Sequence, residues 1–131
     1  MPIELKILAL GALLLFIHIF VATRFKTAQY GRQWNVGARD ETLPEPNPVS
    51  GRLMRAQANF EETFPIAIVA LLGVVIAGKT SQWTAVGGWI WLGARIVYLP
   101  LYWAGIPVIR TIVWTIALIG IAIVIKPLLI G

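Results

Sequence analysis

The chain has 131 residues, of which 58% are hydrophobic and only 13% charged, against about 25% charged in ordinary soluble domains. Its mean hydropathy is +0.79. A soluble fold of this size, a disordered chain and a fibrous repeat do not fit such a composition, and lipid is the expected solvent. There is no cysteine and a single histidine, His18, which excludes disulfides, a cysteine nucleophile and a histidine-cluster metal site. The net charge of +5 is distributed beside apolar runs, so it points to a membrane surface rather than to nucleic acid.

Charges punctuate the chain. None falls between Lys6 and Arg24, between Glu62 and Lys79, from Thr80 to Arg95, from Ile96 to Arg110, or from Thr111 to Lys126. A spanning helix needs about 20 residues, so the parse is one all-α membrane domain over 1–131, a bundle of four transmembrane helices at about 3–25, 51–77, 81–103 and 107–129. The first apolar run is longer than the roughly 7–15 residues of a signal peptide and lacks a small-x-small cleavage site, so it reads as a retained span.

The stretch 27–50 is polar and carries Pro44, Pro46 and Pro48. Proline removes a backbone donor and disfavours helix at the preceding residue, so this stretch reads as a loop. The other two links are short, which makes neighbouring helices antiparallel. Pro107 suits the first turn of the fourth helix. The loop side holds Arg24, Lys26, Arg32, Arg39, Arg52, Arg55, Arg95 and Arg110, and the opposite side only Lys6, Lys79 and Lys126. That asymmetry predicts the long loop in the cytoplasm and both termini outside, in the inner (plasma) membrane if the source is bacterial. Small residues at Ala70, Gly73 and Ala77, and at Ser81, Ala85 and Gly88, form stripes that let membrane helices approach closely.

Polar residues within the spans are the functional signal, because charge there is costly and usually faces a protein interior or a wet cleft. On the second helix Arg55, Asn59 and Glu62 share one face, as do Arg95, Tyr98 and Tyr102 on the third. Arg110 and Thr111 open the fourth. At ~1.5 Å per residue, Glu62 lies ~23 Å and Arg95 ~21 Å from the outer ends of their helices, one level at which the two can pair. Arg55, Asn59, Tyr102 and Arg110 lie higher, at ~27–33 Å. Three arginines against one carboxylate call for an anionic ligand that also offers an amine, and arginine forks suit carboxylates. The lipid beside the cleft would deliver an apolar second substrate.

Each of these residues has a plainer reading. Arg110 also reads as an interfacial basic residue, Arg95 with Glu62 as a structural ion pair, and Tyr102 as an aromatic-belt residue. Asn59 can simply hydrogen-bond the third helix, and Thr111 can cap the backbone. Gln57 is rotated ~200° from Arg55 and faces another helix or subunit. Arg24 and Lys26 read as headgroup anchors, and His18 as a packed neutral residue.

The segment Arg55-Ala-Gln57-Ala-Asn59-Phe-Glu-Glu62-Thr-Phe-Pro65 resembles the second-helix signature R-x-x-x-N-x-x-E of the MAPEG family, the membrane-associated proteins in eicosanoid and glutathione metabolism. Arg95-Ile-Val-Tyr98-Leu-Pro-Leu-Tyr102, followed by Arg110-Thr111, is similar to the family's pattern on helices three and four. The resemblance implies a homotrimer of four-helix subunits with glutathione held between neighbouring subunits near the cytoplasmic face. It implies that Arg55, Asn59 and Glu62 hold the γ-glutamyl end and that Gln57 reaches a glutathione carboxylate. Arg95, Tyr98 and Tyr102 would line the cleft, with Thr111 beside them. Arg110 would act at the sulfur, and Arg24 on the glycyl carboxylate. The activity implied is a glutathione transferase, with peroxidase activity, acting on a lipophilic electrophile. The family also contains accessory proteins, so a non-catalytic lipid- or glutathione-binding protein is the alternative. A small proton-coupled exporter fits poorly, because such proteins depend on an acid in the first helix and only Glu4 lies there, at its extreme end.

Overall fold

The computed structural model describes residues 1–130 and is all-helical over them. The helices are α1 (Ile3–Tyr30), α2 (Arg32–Val36), α3 (Pro48–Ile76), α4 (Gln82–Ala104) and α5 (Pro107–Ile130). Helices α1, α3 and α5 are long and apolar enough to cross a membrane, and α4 is a fourth long helix packed among them. The packing is most extensive between α4 and α5 and between α1 and α3.

The expected loop over 27–50 is corrected by the structure. Its first ten residues are mostly helical, since α1 continues to Tyr30 and α2 follows directly. The prolines that argued for loop are confined to 44–48 and restrict only their own neighbourhood. Trp34 supplies the reason for α2. It is buried, with the Tyr30 ring 5.1 Å from its own and the Arg39 guanidinium 4.5 Å above it. Helix α3 begins three residues earlier than expected because Asn47 and Pro48 form its start. The Asn47 side chain accepts the Ser50 amide at 2.9 Å, and Pro48 occupies the first turn, where no donor is needed. The extended connection is therefore only 37–47, and it is tied down. Tyr30 Oη donates to the Pro44 carbonyl at 2.8 Å, and Gln29 donates to the Glu45 carbonyl while accepting the Asn47 amide.

Two further turns are fixed by left-handed glycines. Gly78 (φ +66°) and Gly105 (φ +76°) end α3 and α4. After each, the next amide reaches back five residues, Lys79 N to Val74 O at 2.8 Å and Ile106 N to Leu101 O at 3.0 Å. This is the Schellman closure, which satisfies terminal carbonyls and reverses the chain tightly. Pro107 then starts α5 at once.

The core forms two clusters. The larger holds Ile7, Leu14, Phe60, Leu71, Trp91 and Val124 among others, and the smaller, nearer the 37–47 connection, holds Ala22, Leu53, Ala56 and Leu99. Many large apolar side chains, such as Phe20, Val69 and Ile112, point outward, as expected of a surface that meets lipid. The closest approach between α4 and α5 is at Gly87 and Gly120. A Cβ on Gly87 would stand 2.7 Å from the Gly120 carbonyl oxygen, and one on Gly120 would stand 2.6 Å from that of Gly87. Of the small residues singled out in the sequence, Gly88 instead admits Ile7 and Leu71 side chains.

At the end of the bundle away from the connection, Glu4 is buried and accepts from the Thr84 hydroxyl at 2.6 Å. Thr84 also completes a capping box with Ser81 at the start of α4. The sequence reading gave Glu4 no role. Its one legible feature is an acid in the first turn of a long helix, where the dipole favours it.

Candidate functional site

Helix α3 lays Leu53, Ala56, Phe60, Ala67, Leu71 and Val74 against the core. At ~100° per residue, Asn59 falls nearest one edge of that buried arc, with Arg55 ~40° and Glu62 ~60° further round from it. Helix α4 buries Trp91, Arg95, Tyr98 and Leu99 on one side. The Schellman turn at Gly105 then brings the first turn of α5 back beside the last turn of α4.

The result is a column of rings and guanidinium groups. Arg95 lies 4.4 Å from the Tyr98 ring centre and 5.0 Å from that of Phe60. Tyr98 meets Tyr102 edge-on at 5.6 Å, and Arg110 sits 4.4 Å above Tyr102. Below the column, the His18 ring is 5.0 Å from Phe60. Positive charge against ring faces contributes roughly 0.5–2 kcal/mol per contact, more where water is excluded.

Arg95 is the most deeply held charge, with 1% of its surface exposed. Its Nη1 donates to Asn59 Oδ1 at 2.9 Å, while Nε and Nη2 have no partner in the protein. This corrects the expected Glu62–Arg95 pair. Arg95 instead reaches Asn59, which residue counts had placed on the higher rung. Arg95 meets α3 on the Asn59 edge, and Glu62 is exposed on the outside of the single chain.

Above this rung a cleft of about 210 Å³ opens at the loop-side end. Arg52, Arg55, Tyr102 and Arg110 form its polar lining, and Gly105, Ile106 and Pro107 its floor. No acidic residue lines it. Arg52 Nε is fixed on the Trp103 carbonyl at 2.9 Å. Its place in the cleft was missed in the sequence, although its spacing of three residues from Arg55 puts both on one face.

Of the residues singled out, the structure thus brings Arg55, Tyr102 and Arg110 into one cleft, with Tyr98, Arg95 and Asn59 beneath it. The others lie elsewhere. Gln57 is on the opposite edge of α3, donating to Glu61 at 2.9 Å. Thr111 is exposed, its hydroxyl returned to the Pro107 carbonyl at 3.3 Å, and Arg24 is exposed on α1.

An arginine-lined cleft over a buried Asn–Arg rung, at one end of a bundle of long apolar helices, is the arrangement to set against known proteins. The MAPEG family model matches residues 7–129, nearly the whole chain. The chain belongs to the MAPEG family. Comparison with curated proteins and with solved structures returns no match. As a MAPEG protein, the chain is an integral membrane protein of a family associated with glutathione and eicosanoid metabolism, and its cleft is the place to look for that chemistry.

Proposed function

We propose that this MAPEG protein is a glutathione-dependent transferase, with peroxidase activity, acting on lipophilic electrophiles drawn from the bilayer. The observation that carries the reading is the cleft in which Arg52, Arg55 and Arg110 converge with no acidic residue in the lining. Such a cleft selects an anion, and guanidinium forks match the carboxylates of a small peptide.

Arg110 is the catalytic residue in this reading. A free thiol of this kind has a pKa near 8.5, and the thiolate is the nucleophile. A guanidinium at the sulfur stabilises the anion, each unit of lowered pKa corresponding to about 1.4 kcal/mol. Arg110 is suited to this because it cannot lose its own proton, and its stacking on Tyr102 limits where it points. Arg52 and Arg55 would take carboxylates. Arg95 and Asn59, beneath them, would hold Tyr98 and the column in place.

Two features favour an assembly of copies. The cleft of one chain has room for only about seven waters at ~30 Å³ each, less than a tripeptide needs. Glu62 is exposed although it lies 14 residues from the far end of α3. That is ~21 Å, inside a hydrocarbon layer of about 30 Å. A carboxylate facing lipid there is costly, so the outer face of α3 around Glu62 is best covered by a neighbouring copy. In the proposed homotrimer Glu62, Gln57 and Arg24 would each reach a cleft shared with a neighbouring copy. The same reading takes α4 as a fourth span, with the 37–47 connection in the cytoplasm and both chain ends outside.

The test combines titration calorimetry with kinetics in detergent. Glutathione binds the wild-type protein, and native mass spectrometry finds three chains. With an aryl halide as electrophile, the pH–rate profile of the wild type rises at lower pH than that of Arg110→Ala, whose midpoint returns toward ~8.5. An unchanged profile and rate remove Arg110 from this role. Binding without turnover of either an aryl halide or an organic hydroperoxide favours the non-catalytic alternative.

A further inference from the structure

A second and larger cavity, about 610 Å³, lies at the other end of the bundle. It is bounded by the Gly78–Ser81 turn, the first turn of α4 and the last turns of α5. Two lysines face it, Lys79 from the turn and Lys126 from α5, and among the described residues no acidic one lines it. The acid at this end, Glu4, is buried against Thr84 and is not part of the lining. The rest of the lining is of two kinds. Thr80 and Ser81 are polar and lie on the same side as Lys79, while Trp83, Ile123 and Ile130 are apolar. Trp83 is 70% exposed, an indole at the end of the bundle, where such rings sit at headgroup level.

We propose that this cavity seats an anionic phospholipid. Lys79 and Lys126 hold the headgroup phosphate, and Trp83, Ile123 and Ile130 lie along the upper part of an acyl chain. Three properties argue for that occupant together. The charge of the described lining is doubly positive, which suits a phosphate. The lining passes from ammonium and hydroxyl groups to aliphatic carbon, as a lipid does from head to tail. The volume corresponds to about twenty waters at ~30 Å³ each, more than an inorganic anion would fill. The site stands apart from the arginine cleft and does not depend on what that cleft binds.

Each lysine near an anionic lipid contributes about 1 kcal/mol, so two correspond to a preference of about 30-fold for anionic over zwitterionic lipid. The test uses brominated lipids, which quench nearby indoles. The Trp83 signal is isolated as the difference between the wild type and Trp83→Phe, both in mixed detergent–lipid micelles. Brominated phosphatidylglycerol quenches it at about 30-fold lower mole fraction than brominated phosphatidylcholine of the same chain length. In Lys79→Gln/Lys126→Gln the two lipids become equivalent within about two-fold, whereas Lys79→Arg/Lys126→Arg and Lys6→Gln keep the preference. Millimolar inorganic phosphate does not displace the anionic lipid. Equal quenching by both lipids in the wild type, a preference that survives Lys79→Gln/Lys126→Gln, or displacement by inorganic phosphate overturns the proposal. Both lysines are exposed, and an unchanged melting temperature in lipid-free detergent separates loss of the site from loss of the fold.

Discussion

Replacing Asn59 by alanine removes the one hydrogen bond that the protein gives Arg95, a guanidinium with 1% of its surface exposed. Nε and Nη2 already lack protein partners, so nothing on the same side chain can compensate. Breaking a buried charge pair costs about 3–5 kcal/mol, and a single hydrogen bond to a charged group about 1.5–3 kcal/mol. The lower range applies here, because Asn59 is neutral and because the Tyr98 and Phe60 faces remain in place at 4.4 and 5.0 Å. The expected loss is about 2 kcal/mol, or a fall in Tm of about 8 °C at roughly 4 °C per kcal/mol. The assay is thermal unfolding in detergent, arranged as a double-mutant cycle with Arg95→Met. A coupling energy of 1.5–3 kcal/mol supports the argument. Coupling below about 0.5 kcal/mol refutes it, since two residues that do not interact are additive to that level.

Gly120→Ala forces a methyl group against the Gly87 carbonyl at 2.6 Å and the Trp91 amide at 2.7 Å. Both are backbone and cannot rotate aside, so α4 and α5 must separate and stability falls by about 1–3 kcal/mol, read as a lower Tm in detergent. Thr84→Val leaves the buried Glu4 carboxylate without its donor and lowers stability by about 1.5–3 kcal/mol. Adding Glu4→Leu recovers most of that loss, because removing both partners is far milder than removing one. His18→Leu replaces a buried ring with no protein partner on either nitrogen. It raises stability by about 1 kcal/mol, and a fall of that size instead would show that the ring nitrogens are in use.

The helical plan was legible because charge is so scarce that the long uncharged runs stand out. Uncharged runs bounded by Lys6, Arg24, Lys79 and Lys126 mark the long helices, although α1 runs five residues past its expected end and Arg95 lies inside α4. Segment 27–36 was misread because its helical order comes from burying Trp34, a tertiary event with no local periodicity in five residues. The start of α3 was legible in principle, Asn47-Pro48 being an ordinary cap followed by a first-turn proline. In the candidate site, residue spacing indicated which residues share a helix face. It could not say toward which neighbour a face turns, and that is why Asn59 rather than Glu62 meets Arg95. The same limit hid Arg52 among the boundary arginines and Glu4 at the chain's first turn. Both draw their partners, Trp103 and Thr84, from far along the chain.

The tethering of the 37–47 connection has a mechanical consequence. Gln29 grips both Glu45 and Asn47, and Asn47 in turn caps α3, so the ends of α1 and α3 beside the 37–47 connection are clamped into one stiff lever. The short Gly105 turn and the Gly87–Gly120 crossing weld α4 and α5 into another. Arg55 rides on the first lever, and Tyr102 and Arg110 on the second. The arginine cleft therefore lies on the seam between the two levers, where the Arg52–Trp103 and Arg95–Asn59 hydrogen bonds tie them together.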